Sequence, residues 1–378
     1  MVSEWNRKAD HWRGWSFRSP GTAEHSQSVD LRIHLNLLRH RASQLLILVA
    51  VVALTAFWGA LRLVGWPLVN GRTSYTPTTD WPALPPNLVL GQVTGIDVDT
   101  QGRVFVFARG EKVWESETID PALISSPTVY VFAGQTGELL DSWGQNHFVM
   151  PHGLTVDPEN NIWLTDVGLH QVFKFDAEGN LLLTLGEAGI SGSDETHFNR
   201  PTDVAVRPDG SFYVSDGYIN ARIVRFDANG RYLFEWGSAG TASGEFDVPH
   251  SLDVDSEGRV YVADRGNARV QIFDGDGRFL RSWYDEWQIG RPWAVRVGPD
   301  GFVYVVDGGD QNEWLPDRAR ILKLTPDGEI VERFGAYGRR PGQFIWPHAL
   351  VIASDGAVFV AEVGQGQRIQ KFVIGGSK

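Results

Sequence analysis

The sequence predicts an all-β chain of six similar units, on three observations that reinforce one another. Six related segments recur: "TGIDVDTQGRVFV", "HGLTVDPENNIWLTD", "TDVAVRPDGSFYVSD", "HSLDVDSEGRVYVAD", "WAVRVGPDGFVYVVD" and "HALVIASDGAVFVAE", beginning at Thr94, His152, Thr202, His250, Trp293 and His348. Each alternates apolar with polar residues and breaks at Asp-Gly-type turns, which is the grammar of short antiparallel strands. The intervals between them, 43 to 58 residues, leave room for four strands apiece. Four antiparallel strands per repeat describe the blade of a β-propeller, so the fold class is a six-bladed β-propeller.

Taken in order, residues 1–44 read as a polar cytoplasmic tail that ends in Arg32, Arg39 and Arg41. Leu45 to Leu61 is a run of 17 residues without a charge, so 45–64 is read as a single N-terminal transmembrane helix, a signal anchor. The long polar stretch ahead of it argues against a cleaved signal peptide. The positive-inside rule then places everything after about residue 70 outside the cytoplasm, in a periplasm or extracellular space. Residues 65–86, which include most of "TSYTPTTDWPALPPN", read as a Pro/Thr linker, and 87–378 as the propeller.

Within the second unit, "HGLTVD", "IWLTDV", "HQVFKFD" and "NLLLTLG" are four successive strands. The last unit runs out after "RIQKFVIG" and lacks its fourth strand. The segment "NLVLG" at 87–91 is expected to supply it and close the ring, which would hide the edges that an open sheet exposes.

Composition narrows the function. The net charge of −12 is unevenly spread: residues 1–72 carry nine Lys/Arg against four Asp/Glu, which leaves −17 for the remainder. A globular part that acidic is a poor partner for nucleic acid, whose phosphates are bound by Lys and Arg. Cysteine is absent, so disulfides, thiolate metal sites and cysteine nucleophiles are excluded. Any metal must be held by histidine, carboxylate or carbonyl.

The strongest chemical signal is a repeated Pro-His. "VMPHGLTVD", "DVPHSLDVD" and "IWPHALVIA" place His152, His250 and His348 at a constant separation of 98 residues. The first strand of every blade lines the central channel, so histidines opening blades two, four and six point to one axis from directions about 120° apart. Three convergent neutral imidazoles with nothing else at that level form a three-histidine metal site whose fourth position stays open, as in catalytic zinc. Cobalt, iron and copper also accept imidazole. Asp166, Asp216, Asp264 and Asp307 end the second strand of four units, and that repetition assigns them a structural job at the blade corners. His147, His170 and His197 lie outside the repeat register.

From about Leu88 to Phe372 the chain resembles the NHL-repeat peptidyl-α-hydroxyglycine α-amidating lyases. The resemblance is carried in order by "MPHGLTVD", "HFNRPTDVAV", "VSDGYINARIVRF", "VPHSL" and "VADRGNARVQIF". It implies a zinc enzyme, a carbon–nitrogen lyase that splits a peptidyl carbinolamide into an amide and glyoxylate. By position it implies His152, His250 and His348 as zinc ligands, Tyr218 as the essential tyrosine, and Arg109 and Arg265 as the functional arginines. It also implies a channel calcium on the backbone carbonyls of Ile96 and Leu154 with an aspartate after the third histidine. Here that residue is Ala349, so Asp97 or solvent would have to replace the carboxylate. A separate hydroxylating enzyme is expected to supply the substrate. The rival readings are a calcium-dependent lactonase-like propeller hydrolase, which needs a carboxylate and Asn cluster on the axis, and a non-catalytic NHL scaffold.

Overall fold

Alternation along each strand builds blades whose two faces are both covered by neighbouring blades. The computed structural model describes residues 74–114, 118–284, 288–309 and 318–375, all within one compact unit, Gly71–Lys378. These residues form six four-stranded antiparallel sheets, the predicted six blades. Burial falls from the axis outward. In blade two, the second strand Ile162–Asp166 is wholly buried, whereas the outer strand Leu181–Leu185 is largely exposed. The apolar core therefore lies between blades. Phe105, Phe107 and Val129 of blade one, for example, pack against Leu154, Ile162 and Leu164 of blade two.

The six inner strands are Val93–Val98, Pro151–Val156, Pro201–Val206, Pro249–Val254, Pro292–Val297 and Pro347–Ile352. Five of them open on proline, which lacks an N–H to donate and is tolerated at the first position of a strand. Each inner strand has a register irregularity immediately after its first residue, as between Pro249 and Ser251. A bulge of this kind re-aims the side chain it carries. In every blade that side chain is the second residue of the strand, the one at the mouth of the channel.

The expected corner role of the repeated acids holds. Asp166 accepts the backbone N–H groups of Val149, Met150, Gly168 and Leu169, while Asp216 and Asp264 receive Arg222 and Arg269 on Nε at 3.0 and 2.7 Å. Asp307 receives Arg320, and Glu362 does the same in blade six through Arg368. Asp166 thereby fixes the two residues that lead into Pro151 and His152.

Closure differs from the expectation in its residues, though not in its principle. The outermost strand of blade six is Tyr75–Pro77, paired antiparallel to Ile369–Ile374 with Tyr75 opposite Ile374. "NLVLG" at 87–91 forms no strand. The physical reason is distance. Adjacent strands lie about 4.8 Å apart, so a chain running from the outer strand of one blade to the inner strand of the next must cross about 14 Å. Between Gly91 and Val93 there is a single residue, which cannot span that gap. Residues 78–92 make the crossing instead, with Trp81 and Leu90 buried on the way. Tyr75 and Trp81 therefore belong to the propeller, inside the segment expected as linker. Tyr75 stacks on Phe334 at 4.6 Å and shares a 2.9 Å hydrogen bond with the Tyr304 hydroxyl.

The apolar run expected to span a membrane, 45–64, lies outside the described residues. Among the described residues no helix is long and apolar enough to cross a membrane.

Candidate metal centre

The three histidines predicted from spacing converge. His152, His250 and His348 are buried, and their ligating atoms lie within 4.8 Å of one another, the one such cluster of three among the described residues. Their ring centroids form a near-regular triangle of 4.8, 4.9 and 4.9 Å. The three-fold arrangement follows from placing histidine at the bulged position of blades two, four and six.

Blades one, three and five supply what orients them. His348 Nδ1–H donates to the carbonyl of Thr94 at 2.7 Å, His152 Nδ1–H to Thr202 at 2.7 Å, and His250 Nδ1–H to Trp293 at 2.6 Å. A carbonyl only accepts, so each Nδ1 carries the proton and each Nε2 keeps a lone pair. Outer partners of this kind set the tautomer and orientation of metal-binding histidines. Gly153 makes one of these contacts sterically feasible, because a Cβ there would sit 2.5 Å from the Thr202 carbonyl oxygen.

Burial keeps the rings neutral. It pushes His152 and His250 well below the ordinary histidine range, with His348 and Arg265, respectively, as the next contributors. Burial and then Arg109 bring His348 down to about 3. Neutral imidazole is the form that ligates a metal.

Tyr218 stands over this triangle. Its hydroxyl lies 3.0 Å from His152 Nε2 and 2.9 Å from His250 Nε2. One phenolic proton cannot satisfy two lone pairs at once, so the arrangement holds a surplus of acceptors facing one point. Three neutral nitrogen donors with fixed tautomers and that surplus fit a divalent transition metal such as zinc.

Both predicted arginines are at the site, in different settings. Arg109 is buried, donating from Nε to the Pro151 carbonyl at 3.0 Å and from a terminal nitrogen to Gln92 Oε1 at 2.6 Å. Burial lowers it to about 10, opposed by the charges of Tyr218 and Asp166. It remains a cation at neutral pH and braces the residue preceding His152. Arg265 is only partly buried, with its guanidinium 4.4 Å from the Trp293 ring centre and 5.7 Å from that of Tyr218. Among the described residues no carboxylate pairs with it, so its fork is available to an anion.

Sequence reasoning missed Trp114. Its ring packs on Tyr218 at 4.7 Å and lies under the guanidinium groups of Arg109 and Arg200 at 5.2 and 6.0 Å. A signal was present. Where five blades end the second strand in Asp or Glu, blade one has Ala108 and then Arg109, and a repeat that abandons its structural residue marks a functional departure. His147, His170 and His197 stand apart from the cluster: His147 packs on Phe173 and Phe175, His170 accepts the Arg200 N–H, and His197 pairs with Asp194.

Comparison with known proteins places the chain among its relatives. The NHL repeat family matches residues 148–175 and 246–273, the segments that carry His152 and His250. The chain is 38% identical over 317 residues to peptidyl-glycine alpha-amidating monooxygenase B of Xenopus laevis, covering 78% of this chain and 35% of that protein. It is 34% identical over 300 residues to a probable peptidyl-alpha-hydroxyglycine alpha-amidating lyase of Caenorhabditis elegans, covering 74% and 81%. The chain thus spans about a third of the length of the monooxygenases and most of the length of the lyase. Among solved structures, a streptogramin B lyase aligns with a TM-score of 0.53 at 15% identity over 80% of this chain and 98% of that one, a likeness of fold alone.

Proposed function

The chain belongs to the NHL-repeat peptidyl-α-hydroxyglycine α-amidating lyase family, and from that premise we propose that it cleaves a peptidyl-α-hydroxyglycine-like carbinolamide into an amide and glyoxylate with the help of zinc. The observation that carries the reading is the Tyr218 hydroxyl, within 3.0 Å of the Nε2 atoms of two of the three convergent histidines.

Zinc held by His152, His250 and His348 would supply Lewis acidity, lowering the pKa of an oxygen bound beside it. The residues of the chain do the rest. Tyr218 Oη, having first given up its own proton to solvent, is placed as a phenolate to take the proton of the carbinol hydroxyl and to return it to the leaving nitrogen. As that oxygen becomes the aldehyde oxygen of glyoxylate, the C–N bond breaks and its electron pair passes to nitrogen, which regains one proton as the amide. Arg265 offers two parallel N–H groups to the substrate carboxylate, a geometry that a lysine could not reproduce. Arg109 stays behind the tyrosine, holding the Pro151 carbonyl and keeping positive charge near Tyr218.

The reading carries expectations that rest on sequence alone. The run Leu45 to Leu61 anchors the chain in a membrane with the propeller outside the cytoplasm, and protease added to intact or outer-membrane-permeabilised cells should digest the propeller. The carbinolamide arises by hydroxylation at a glycine Cα, so a separate monooxygenase-type step supplies it.

The direct test is to give metal-loaded protein a peptide extended by α-hydroxyglycine and to measure glyoxylate and amide. Equal amounts of both are expected. Glyoxylate no higher than the metal-free background would remove the lyase reading and leave the propeller as a binding module.

A further inference from the structure

Beneath the histidines the channel changes character. The next ring, Gly95, Gly153, Asp203, Ser251, Ala294 and Ala349, is small except for Asp203. Two residues further along the same strands come Asp97, Asp253 and Arg296. Arg296 turns back into the channel and grips Asp203 with both terminal nitrogens, at 2.8 and 3.2 Å. One of those nitrogens also donates to Ser251 Oγ at 2.9 Å and to the carbonyls of Leu252 and Val295 at 3.1 and 3.0 Å. Asp203 in turn accepts the Ser251 hydroxyl at 2.8 Å. One guanidinium from blade five therefore ties blades three and four.

The calcium that the family resemblance implies does not fit this channel. Calcium takes six to eight oxygen ligands, carboxylates prominent among them. At the position of the expected aspartate stands Ala349, buried in an apolar cluster with Ile96 and Val351. Asp97 is a poor substitute, because each of its oxygens already accepts an N–H, from Val98 and Val156 at 2.7 and 2.8 Å. Leu154, Ala349 and Arg296 line one and the same cavity, so a cationic guanidinium already stands among the remaining donors.

We propose that Arg296 replaces the channel calcium with a cation built into the chain, and that it acts as a positioning residue for the histidine triad. The inference rests on those histidines holding a metal, and not on the lyase chemistry. The link is short. Asp203 follows Thr202, whose carbonyl orients His152, and Arg296 lies three residues after Trp293, whose carbonyl orients His250. The Arg296–Asp203 clamp sets the spacing of the two strands that carry those carbonyls. Removing it lets both rings drift and leaves Asp203 as a buried carboxylate without its cation.

The test uses full-length protein and has two readouts besides activity. Melting temperature is measured with calcium and with a calcium-selective chelator, and cobalt(II) is titrated while its visible ligand-field bands are followed. Wild type should melt within about 1 °C under both conditions and bind one cobalt per chain. Arg296→Met should keep its far-UV circular dichroism yet bind cobalt at least about tenfold more weakly with shifted bands, and Arg296→Lys should recover part of the affinity as a point cation. The double variant Arg296→Met/Ala349→Asp should become stabilised by calcium. If Arg296→Met does not fold, Arg296→Lys and Asp203→Asn carry the same comparison. A wild-type melt that depends on calcium, or cobalt affinity and bands unchanged in the Arg296 and Asp203 variants, would overturn the inference. Wild-type protein that binds no cobalt would instead sink the metal reading of the histidines.

Discussion

Two layers of one channel, built by the same six strands, handle charge in opposite ways. At the mouth, three imidazoles are held neutral by burial, with His348 brought down to about 3. Below them Asp97 is pushed up to about 7 by burial, and Arg296 is held further above its usual range, its burial outweighed by Asp203 and Asp253. The mouth keeps lone pairs unsatisfied and turned toward one point, whereas the lower layer spends its donors and acceptors on joining blades. The difference separates a ligand set from a brace. A functional ring leaves valences open, and a structural ring closes them.

The largest expected effect comes from breaking the mouth. His250→Ala should abolish metal binding, because two imidazoles make a poor site, and lower turnover beyond the range of about 10⁴-fold that spans loss of an acid–base group. Metal analysis and glyoxylate release check this, and His170→Ala or His197→Ala should leave metal content unchanged. Full metal retention in His250→Ala would dissolve the contrast between the two layers.

Tyr218→Phe separates ligation from proton transfer within the same layer. It should keep its metal and lose about 10² to 10⁴-fold in kcat. A smaller loss of about 10 to 100-fold in kcat/KM is expected for Arg265→Ala, the range for a solvent-accessible charge-assisted contact, with most of it in KM. An Arg265 variant impaired in kcat alone would move that residue from substrate binding to the chemical step.

Acidity sharpens the comparison further, since the layers should respond with opposite sign. His348, with its pKa lowered, contributes stability that is complete above about pH 6.5 and is lost as pH falls toward about 3. Asp97, with its pKa raised, contributes stability that is complete below about pH 4 and is lost as pH rises through about 7. Thermal unfolding of metal-free protein should show Asp97→Asn gaining on wild type as pH rises from 5 to 8, by at most about 1.4 kcal/mol per pH unit. A difference between the two proteins that stays constant with pH would show that Asp97 does not titrate in this range.

How much of this was legible before folding depended on whether a feature repeats. The six blades, the corner acids and the histidine ring could be read because each recurs in register, and a period survives any detail of packing. His152, His250 and His348 were found by their equal spacing, which translates into alternate blades. Tyr218, Arg109 and Arg265 came from the resemblance to the amidating lyases, which their local motifs carry. The closing strand was placed wrongly because Tyr75–Pro77 has only three residues, too few for alternation to speak, and lies ahead of the unit it does not belong to. Arg296 escaped because it occurs once and nothing periodic marks it, and Trp114 escaped although blade one breaks the repeat nearby, at Ala108 and Arg109.

The sequence by itself determined the number of blades, the strand order within each blade and which three histidines converge, since these follow from alternation, turn chemistry and repeat length. Only the tertiary structure decided which nitrogen of each histidine faces the axis, because that depends on carbonyls contributed by blades about 50 residues away in sequence or, for His348, at the far end of the chain. It alone decided that Arg296 would find Asp203, 93 residues before it, and fill the channel with a fixed positive charge. Ring closure brings such residues together, and a local pattern holds no record of which distant strand will stand opposite.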